Sequence, residues 1–338
     1  MPFARPHEEL PIAEAAARLA GVVRRTPLER FDAGDPRVEL RVKLECLQET
    51  GSFKARGAWN QVAQLGASER AAGVVTTSSG NHGKALAWAA ARAGVRATIV
   101  MPADAYPNKI QACRELGAEV VLGRDRPEAE ALCRERVVSG ATLVHPYDAE
   151  RTLQGAGTVG WEIAEQWPEV EVVIVPVGGG GLIAGCALAL HERLGRSVTV
   201  IGAEPGGAPT LTLALERGAP VVLERITTQV QGLCPLSAGK LNTAICLEHV
   251  DHVRTLEDEE IFAAQRSLVL DGGWTVEPAG AAAVAVVLSD HLPRELLGGR
   301  GPERPLRVAC VVSGGNPDPE QLARVRSDRG SRGGSARG

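Results

Sequence analysis

Short β-branched runs alternate with Ala-rich amphipathic stretches almost without a break from about Val38 to Val312. Strands buried on both faces read as continuous apolar runs and the helices between them as one-sided ones, so this pattern predicts repeated βαβ units around a mostly parallel sheet. The clearest strands are 73–78, 97–101, 119–123, 171–177, 198–204 and 306–312. Between them the spacing predicts helices over 80–93, 108–116 and 127–138, each followed by Gly or Ser as helix ends often are. Three consecutive βα units at 72–147 predict a small domain, with 1–71 and 148–322 forming a larger one around it. The Gly/Ser/Arg-rich end, 323–338, reads as a disordered tail.

Composition agrees with an α/β enzyme. Hydrophobic residues make up 44% of the 338 residues but aromatics only 3%, so the core must be built from Ala, Val, Leu and Ile. A net charge of -4 gives no electrostatic footprint for nucleic acid, and few aromatics means no stacking platform for single strands. Neither a signal-type apolar run at the start nor a membrane-length apolar stretch is present, so a soluble, cytoplasmic protein is expected. The seven cysteines are scattered without a C-x-x-C pair and read as buried free thiols.

The strongest local feature is 171-EVVIVPVGGGGLIAGCALAL, a strand running through four glycines into a helix. Such a turn exposes backbone N–H groups at a helix N-terminus, a phosphate site that needs no positive side chain. The run 179-GGGLIA also fits G-x-G-x-x-A, and Glu204 follows about twenty residues on, so taken alone it permits a dinucleotide-binding oxidoreductase.

Two further segments bear on the choice. In 50-TGSFKARGAWN, Lys54 opens an amphipathic helix, a position the helix dipole disfavours for a cation. Burial there would lower the amine's pKa, as a Schiff-base lysine requires. In 76-TTSSGNHGKALAWAA, Ser78, Ser79, Asn81 and the adjoining amides form an uncharged cradle suited to a carboxylate. A dinucleotide enzyme would leave both segments idle.

SFKARGA, SSGNH, GGGGL, the AEP at 203–205, VEPAG at 276–280 and SGGN at 313–316 together resemble, in order, the serine/threonine dehydratase and serine racemase family of fold-type II pyridoxal-phosphate enzymes. The resemblance spans roughly 20–320. It implies a two-domain, tryptophan synthase beta-like α/β fold, acting on a small 3-hydroxy amino acid as a homodimer or homotetramer. Lys54 would carry pyridoxal 5'-phosphate as a Schiff base and serve as base, with Phe53 near the ring and Asn81 bonded to the ring hydroxyl. Gly178, Gly179, Gly180 and Gly181 would hold the phosphate, Ser313 would face the pyridine nitrogen, and Glu277 would lie near the ring edge. Ser78, Ser79, Asn81 and His82 would receive the substrate carboxylate, and Ser79 would be the second acid/base in a racemase. The implied reaction is elimination of water to a 2-oxo acid and ammonia. Racemisation, 3-hydroxyaspartate dehydration and β-replacement of the cysteine synthase type use the same scaffold.

The chain departs from the family in places. The implied cation site comprises Glu204, the carbonyl of Ala208 and an acid, but Thr210 stands in the acid's place. Divalent affinity should therefore fall, leaving a monovalent ion or none. The stretch 226–245 carries CPLSAG where relatives have a different loop near the cofactor, which leaves the preferred hydroxy amino acid open. No room remains after 320 for the regulatory domain of biosynthetic threonine dehydratases, so end-product inhibition is not expected.

Overall fold

The computed structural model describes residues 10–327. In chain order its strands are β1 (Leu28–Phe31), β2 (Val38–Lys43), β3 (Val74–Thr77), β4 (Ala97–Pro102), β5 (Glu119–Gly123), β6 (Thr142–Leu143), β7 (Val172–Pro176), β8 (Thr199–Pro205), β9 (His252–Leu256) and β10 (Leu306–Val311). The α-helices are α1 (Ile12–Leu19), α2 (Lys54–Val62), α3 (Ala67–Ala72), α4 (Asn81–Ala93), α5 (Pro107–Glu115), α6 (Arg126–Val138), α7 (Glu150–Gln166), α8 (Gly181–Leu194), α9 (Thr210–Arg217), α10 (Lys240–His249), α11 (Asp258–Leu270), α12 (Pro278–Leu288), α13 (Arg294–Leu297) and α14 (Pro319–Ser327).

Two sheets result. One has the order β1-β2-β10-β7-β8-β9 and the other β5-β4-β3-β6. Every pairing is parallel except β1 with β2. That antiparallel edge strand lies outside the βαβ expectation, because a short connection suffices where no crossover helix is needed.

The large sheet is covered on both faces. Its central strand β7 is buried throughout, with α11 and α12 in the core on one side and α7, α8 and α10 in the core on the other. Helix α12 shows no polar stripe, being buried from Ala279 through Val287 between strands and α11. Close approach of α7 to α8 leaves no room for a side chain at Gly157, where an added Cβ would sit 2.7 Å from the Gly185 carbonyl. The small sheet packs on α4, and α2 contacts both α4 and α7.

Two sequence expectations change. The tail placed at 323–338 begins instead as helix through Ser327, and 328–338 lie outside the described residues, as do 1–9. Cys234 is only half-buried, whereas the other six cysteines are buried as expected. No described helix is long and apolar enough to cross a membrane.

Candidate active site

Parallel sheets bind ligands beyond the carboxyl ends of their strands, and here four such ends converge. Ser78 follows β3, the segment 145–147 follows β6, Gly178 follows β7 and Ser313 follows β10. Lys54 is pinned among them. The Phe53 N–H donates to the Ser313 carbonyl at 3.1 Å, and a bridge joins Ser52 to Gly314. Lys54 Nζ donates to the Pro146 carbonyl at 2.6 Å and lies 4.9 Å from the centre of the Phe53 ring. Part of the side chain stays accessible, but protein surrounds the amine, and burial lowers its pKa from 10.5 to about 8. No carboxylate pairs with it among the described residues, so no opposite charge offsets that loss of hydration.

The glycine turn faces this lysine. Gly180 has φ of 86°, a left-handed conformation that suits glycine. An added Cβ on Gly179 would collide with the Tyr147 ring. The first turn of α8 therefore presents free N–H groups under an aromatic cover, a cradle for phosphate.

On the opposite flank a directed chain of hydrogen bonds runs from Lys84 to Glu277. Lys84 Nζ donates to Asn316 Oδ1 at 3.0 Å, Asn316 Nδ2 donates to Asn81 Oδ1 at 2.8 Å, and Asn81 Nδ2 donates to Glu277 Oε1. An ammonium only donates and a carboxylate only accepts, so the two ends dictate how both amides are turned. Burial pushes the Glu277 carboxyl above its usual range, against the Asn81 hydrogen bond and the Lys109 charge. Gly314 is required here, since a Cβ would strike the Glu277 carboxylate. A cavity of about 480 Å³ opens over Asn81, Glu277 and Asn316, with Tyr106, Lys109 and Gln231 at its rim.

The remaining expected residues divide. Ser313 is buried, its hydroxyl 3.4 Å from the Ala279 carbonyl. Ser78 Oγ accepts from the Gly80 and Gly83 N–H groups, so it caps α4. Ser79 is exposed, with no hydrogen-bond partner for its hydroxyl among the described residues. His82 points away from a carboxylate cradle: its Nε2 lies 3.0 Å from the Val144 carbonyl, and burial, aided by the Lys54 charge, lowers its pKa to about 3.

Glu204 has partners within the protein. Its carboxylate accepts the N–H groups of Leu211 and Thr212 at 3.0 and 2.8 Å and the Thr212 hydroxyl at 2.6 Å, closing the first turn of α9. The Ala208 carbonyl accepts the Thr210 N–H at 2.8 Å. Protein donors thus reach both groups, and no group of three or more His, Cys, Asp or Glu able to hold a metal occurs among the described residues.

Sequence reasoning missed Asn242, buried on α10, which donates through Nδ2 to the Tyr147 and Gly179 carbonyls at 3.1 and 2.6 Å. Its signal is weak, a single polar residue in an otherwise ordinary helix.

A lysine amine with a depressed pKa, beside a glycine-lined phosphate cradle at the ends of two mostly parallel sheets, suits an enzyme for a phosphorylated aldehyde cofactor. The family model described as "Pyridoxal-phosphate dependent enzyme" matches residues 19–314, and the chain belongs to that family. It is 40% identical over 318 residues to the L-threonine ammonia-lyase of Thermotoga maritima, covering 93% of this chain and 77% of that one. It is 37% identical over 318 residues to the phenylserine dehydratase of Ralstonia pickettii, covering 93% and 94%. The structure of maize serine racemase superposes with a TM-score of 0.85 at 33% identity, over 95% of this chain and 97% of that one. Pyridoxal phosphate is thus the cofactor, and the residues present fit it: an amine for the aldehyde, N–H groups for the phosphate and a hydroxyl at Ser313 for the ring.

Only the neutral amine attacks an aldehyde. The rate at which Lys54 of the apoprotein captures pyridoxal phosphate is therefore expected to climb with pH and level off above about 8. Stopped-flow absorbance measures this, and a rise continuing to the ordinary lysine range would contradict it.

Proposed function

We propose that this enzyme is an ammonia-lyase that removes water from a small 3-hydroxy amino acid of the L-threonine or L-serine type, giving a 2-oxo acid and ammonia. The observation that carries the reading is the Lys54 amine, buried between the phosphate and carboxylate cradles with its pKa lowered to about 8. Bound there, pyridoxal phosphate supplies the electron sink that makes the substrate α-proton removable.

The chain's own groups do the rest. N–H groups at the start of α4, with Asn81, hold the substrate carboxylate, so the Cα–H bond stays in one orientation toward Lys54. Lys54 Nζ accepts that proton, for which a pKa near working pH is the favourable condition. The C–O bond at the β-carbon then breaks, one water leaves, and a second water completes hydrolysis, so the balance is one 2-oxo acid and one ammonia. Ser313 would offer the ring nitrogen a neutral hydroxyl in place of a carboxylate, which would moderate the sink and favour rapid elimination over transamination. The likeness to L-threonine ammonia-lyases and a phenylserine dehydratase supports elimination from a 3-hydroxy amino acid.

A second activity has its own support. Ser79 keeps its hydroxyl unengaged on the cradle loop, as a second acid/base on the opposite face would require, and serine racemases are among the similar proteins. Incubating the holoenzyme with L-threonine, L-serine, 3-phenylserine and 3-hydroxyaspartate, while reading 2-oxo acid, ammonia and D-isomer, tests both. Equal yields of 2-oxo acid and ammonia are expected. D-isomer without 2-oxo acid, or turnover only with an added nucleophile, would overturn the lyase reading.

A further inference from the structure

Two buried side chains hold the carbonyls of successive peptides in the glycine turn. Thr210, fully buried at the start of α9, donates through its hydroxyl to the Gly178 carbonyl at 3.0 Å. Asn242, fully buried on α10, donates through Nδ2 to the Gly179 carbonyl at 2.6 Å, and the Gly239 N–H reaches the same oxygen at 3.0 Å. All described peptides are trans, so the C=O and N–H of one peptide unit point in opposite directions. A tether on the Gly178 carbonyl thus aims the Gly179 N–H away from α9. A tether on the Gly179 carbonyl likewise aims the Gly180 N–H away from α10. Neither N–H has a protein acceptor among the described residues.

We propose that Thr210 and Asn242 are positioning residues for cofactor phosphate, turning two consecutive glycine peptides so that their N–H groups converge on the anion. Glycine peptides rotate freely, and an untethered turn would present a carbonyl oxygen to the phosphate as readily as an N–H. The chemistry also accounts for the residue at 210. A carboxylate there has no proton to donate to the Gly178 carbonyl and would repel it, whereas a hydroxyl donates. With Glu204 already taken up by the N–H groups of α9, Thr210 serves the phosphate turn. The proposal rests on the functional reading only in taking pyridoxal phosphate as the ligand.

The test compares apoprotein affinity for pyridoxal phosphate and for pyridoxal, which lacks the phosphate, by absorbance titration. Thr210→Val removes the hydroxyl at nearly constant shape. It is expected to weaken pyridoxal phosphate binding about tenfold, the effect of one lost hydrogen bond, and to leave pyridoxal binding unchanged. Thr210→Ser keeps the donor and is expected to stay near wild type. Unchanged affinity for pyridoxal phosphate in Thr210→Val, or equal weakening toward both compounds, would overturn the tether. Should Thr210→Val not fold, Asn242→Leu removes the shorter of the two hydrogen bonds on the Gly179 carbonyl, leaving that of the Gly239 N–H, and is expected to weaken pyridoxal phosphate binding by a smaller factor in the same ratio; an unchanged ratio would overturn the role of Asn242. Wild-type apoprotein that binds neither compound would overturn the functional reading instead.

Discussion

Lys54→Ala is expected to yield a folded protein whose turnover of hydroxy amino acid falls by about 10³-fold or more and which loses its visible cofactor absorption. The size follows from losing two roles at once, the covalent anchor and the proton acceptor, the latter alone being worth roughly 10²- to 10⁴-fold. Stability should change little or rise. A lysine whose pKa is depressed from 10.5 to about 8 by folding opposes folding in full below about 8 and progressively less up to 10.5, and alanine removes that opposition. Steady-state production of 2-oxo acid, with circular dichroism as the control for folding, checks both parts. Retention of more than a tenth of wild-type turnover would move the base elsewhere.

Arg56→Ala is expected to cost about 3–5 kcal/mol of stability, the range for breaking a buried ion pair by removing one partner. Arg56 is fully buried two residues beyond Lys54. It donates to Glu45 at 2.8 Å and to Glu162 at 2.7 Å, and Lys43 reaches Glu162 at 2.5 Å. Two cations thus balance two carboxylates, and alanine leaves one negative charge unmatched. Burial pushes Glu45 upward, but attraction and hydrogen bonds from Arg56 outweigh it and hold the carboxyl below its usual range. In the wild type this group contributes stability above the ordinary glutamate pKa and loses it as pH falls through the depressed value. Without Arg56, burial dominates and Glu45 takes up a proton more readily, so the defect should narrow on acidification. Urea unfolding at neutral and mildly acidic pH measures this, and a cost under 1 kcal/mol would contradict it.

How much of this could be read from residues alone depends on whether a feature is local. The strand–glycine–helix run at 171–190 and the SSGNH turn carry their chemistry within a few positions, so the cradles were legible before any fold was known. Lys54 was legible through its neighbours, since a helix-opening lysine acquires meaning only beside a site for phosphate. The Arg56 cluster was not, because Glu162 lies 106 residues from Arg56 and no periodicity marks a buried charge. The SGGN segment was legible, but the contact by which its Asn316 orients Asn81 across 235 residues was hidden for the same reason. Glu204 shows the converse: its spacing fitted a ribose or a cation, yet the geometry gives it to the N–H groups of α9. Helix α12 lacked amphipathic spacing because both its faces are covered.

The account stands on Lys54 carrying the cofactor. Reduction of the holoenzyme with borohydride would fix the cofactor to its lysine, and peptide mass mapping would then locate it. A pyridoxyl label on Lys54 and on no other residue is expected; a label on Lys43, Lys84 or Lys109, or none at all, would contradict Lys54 as the anchor.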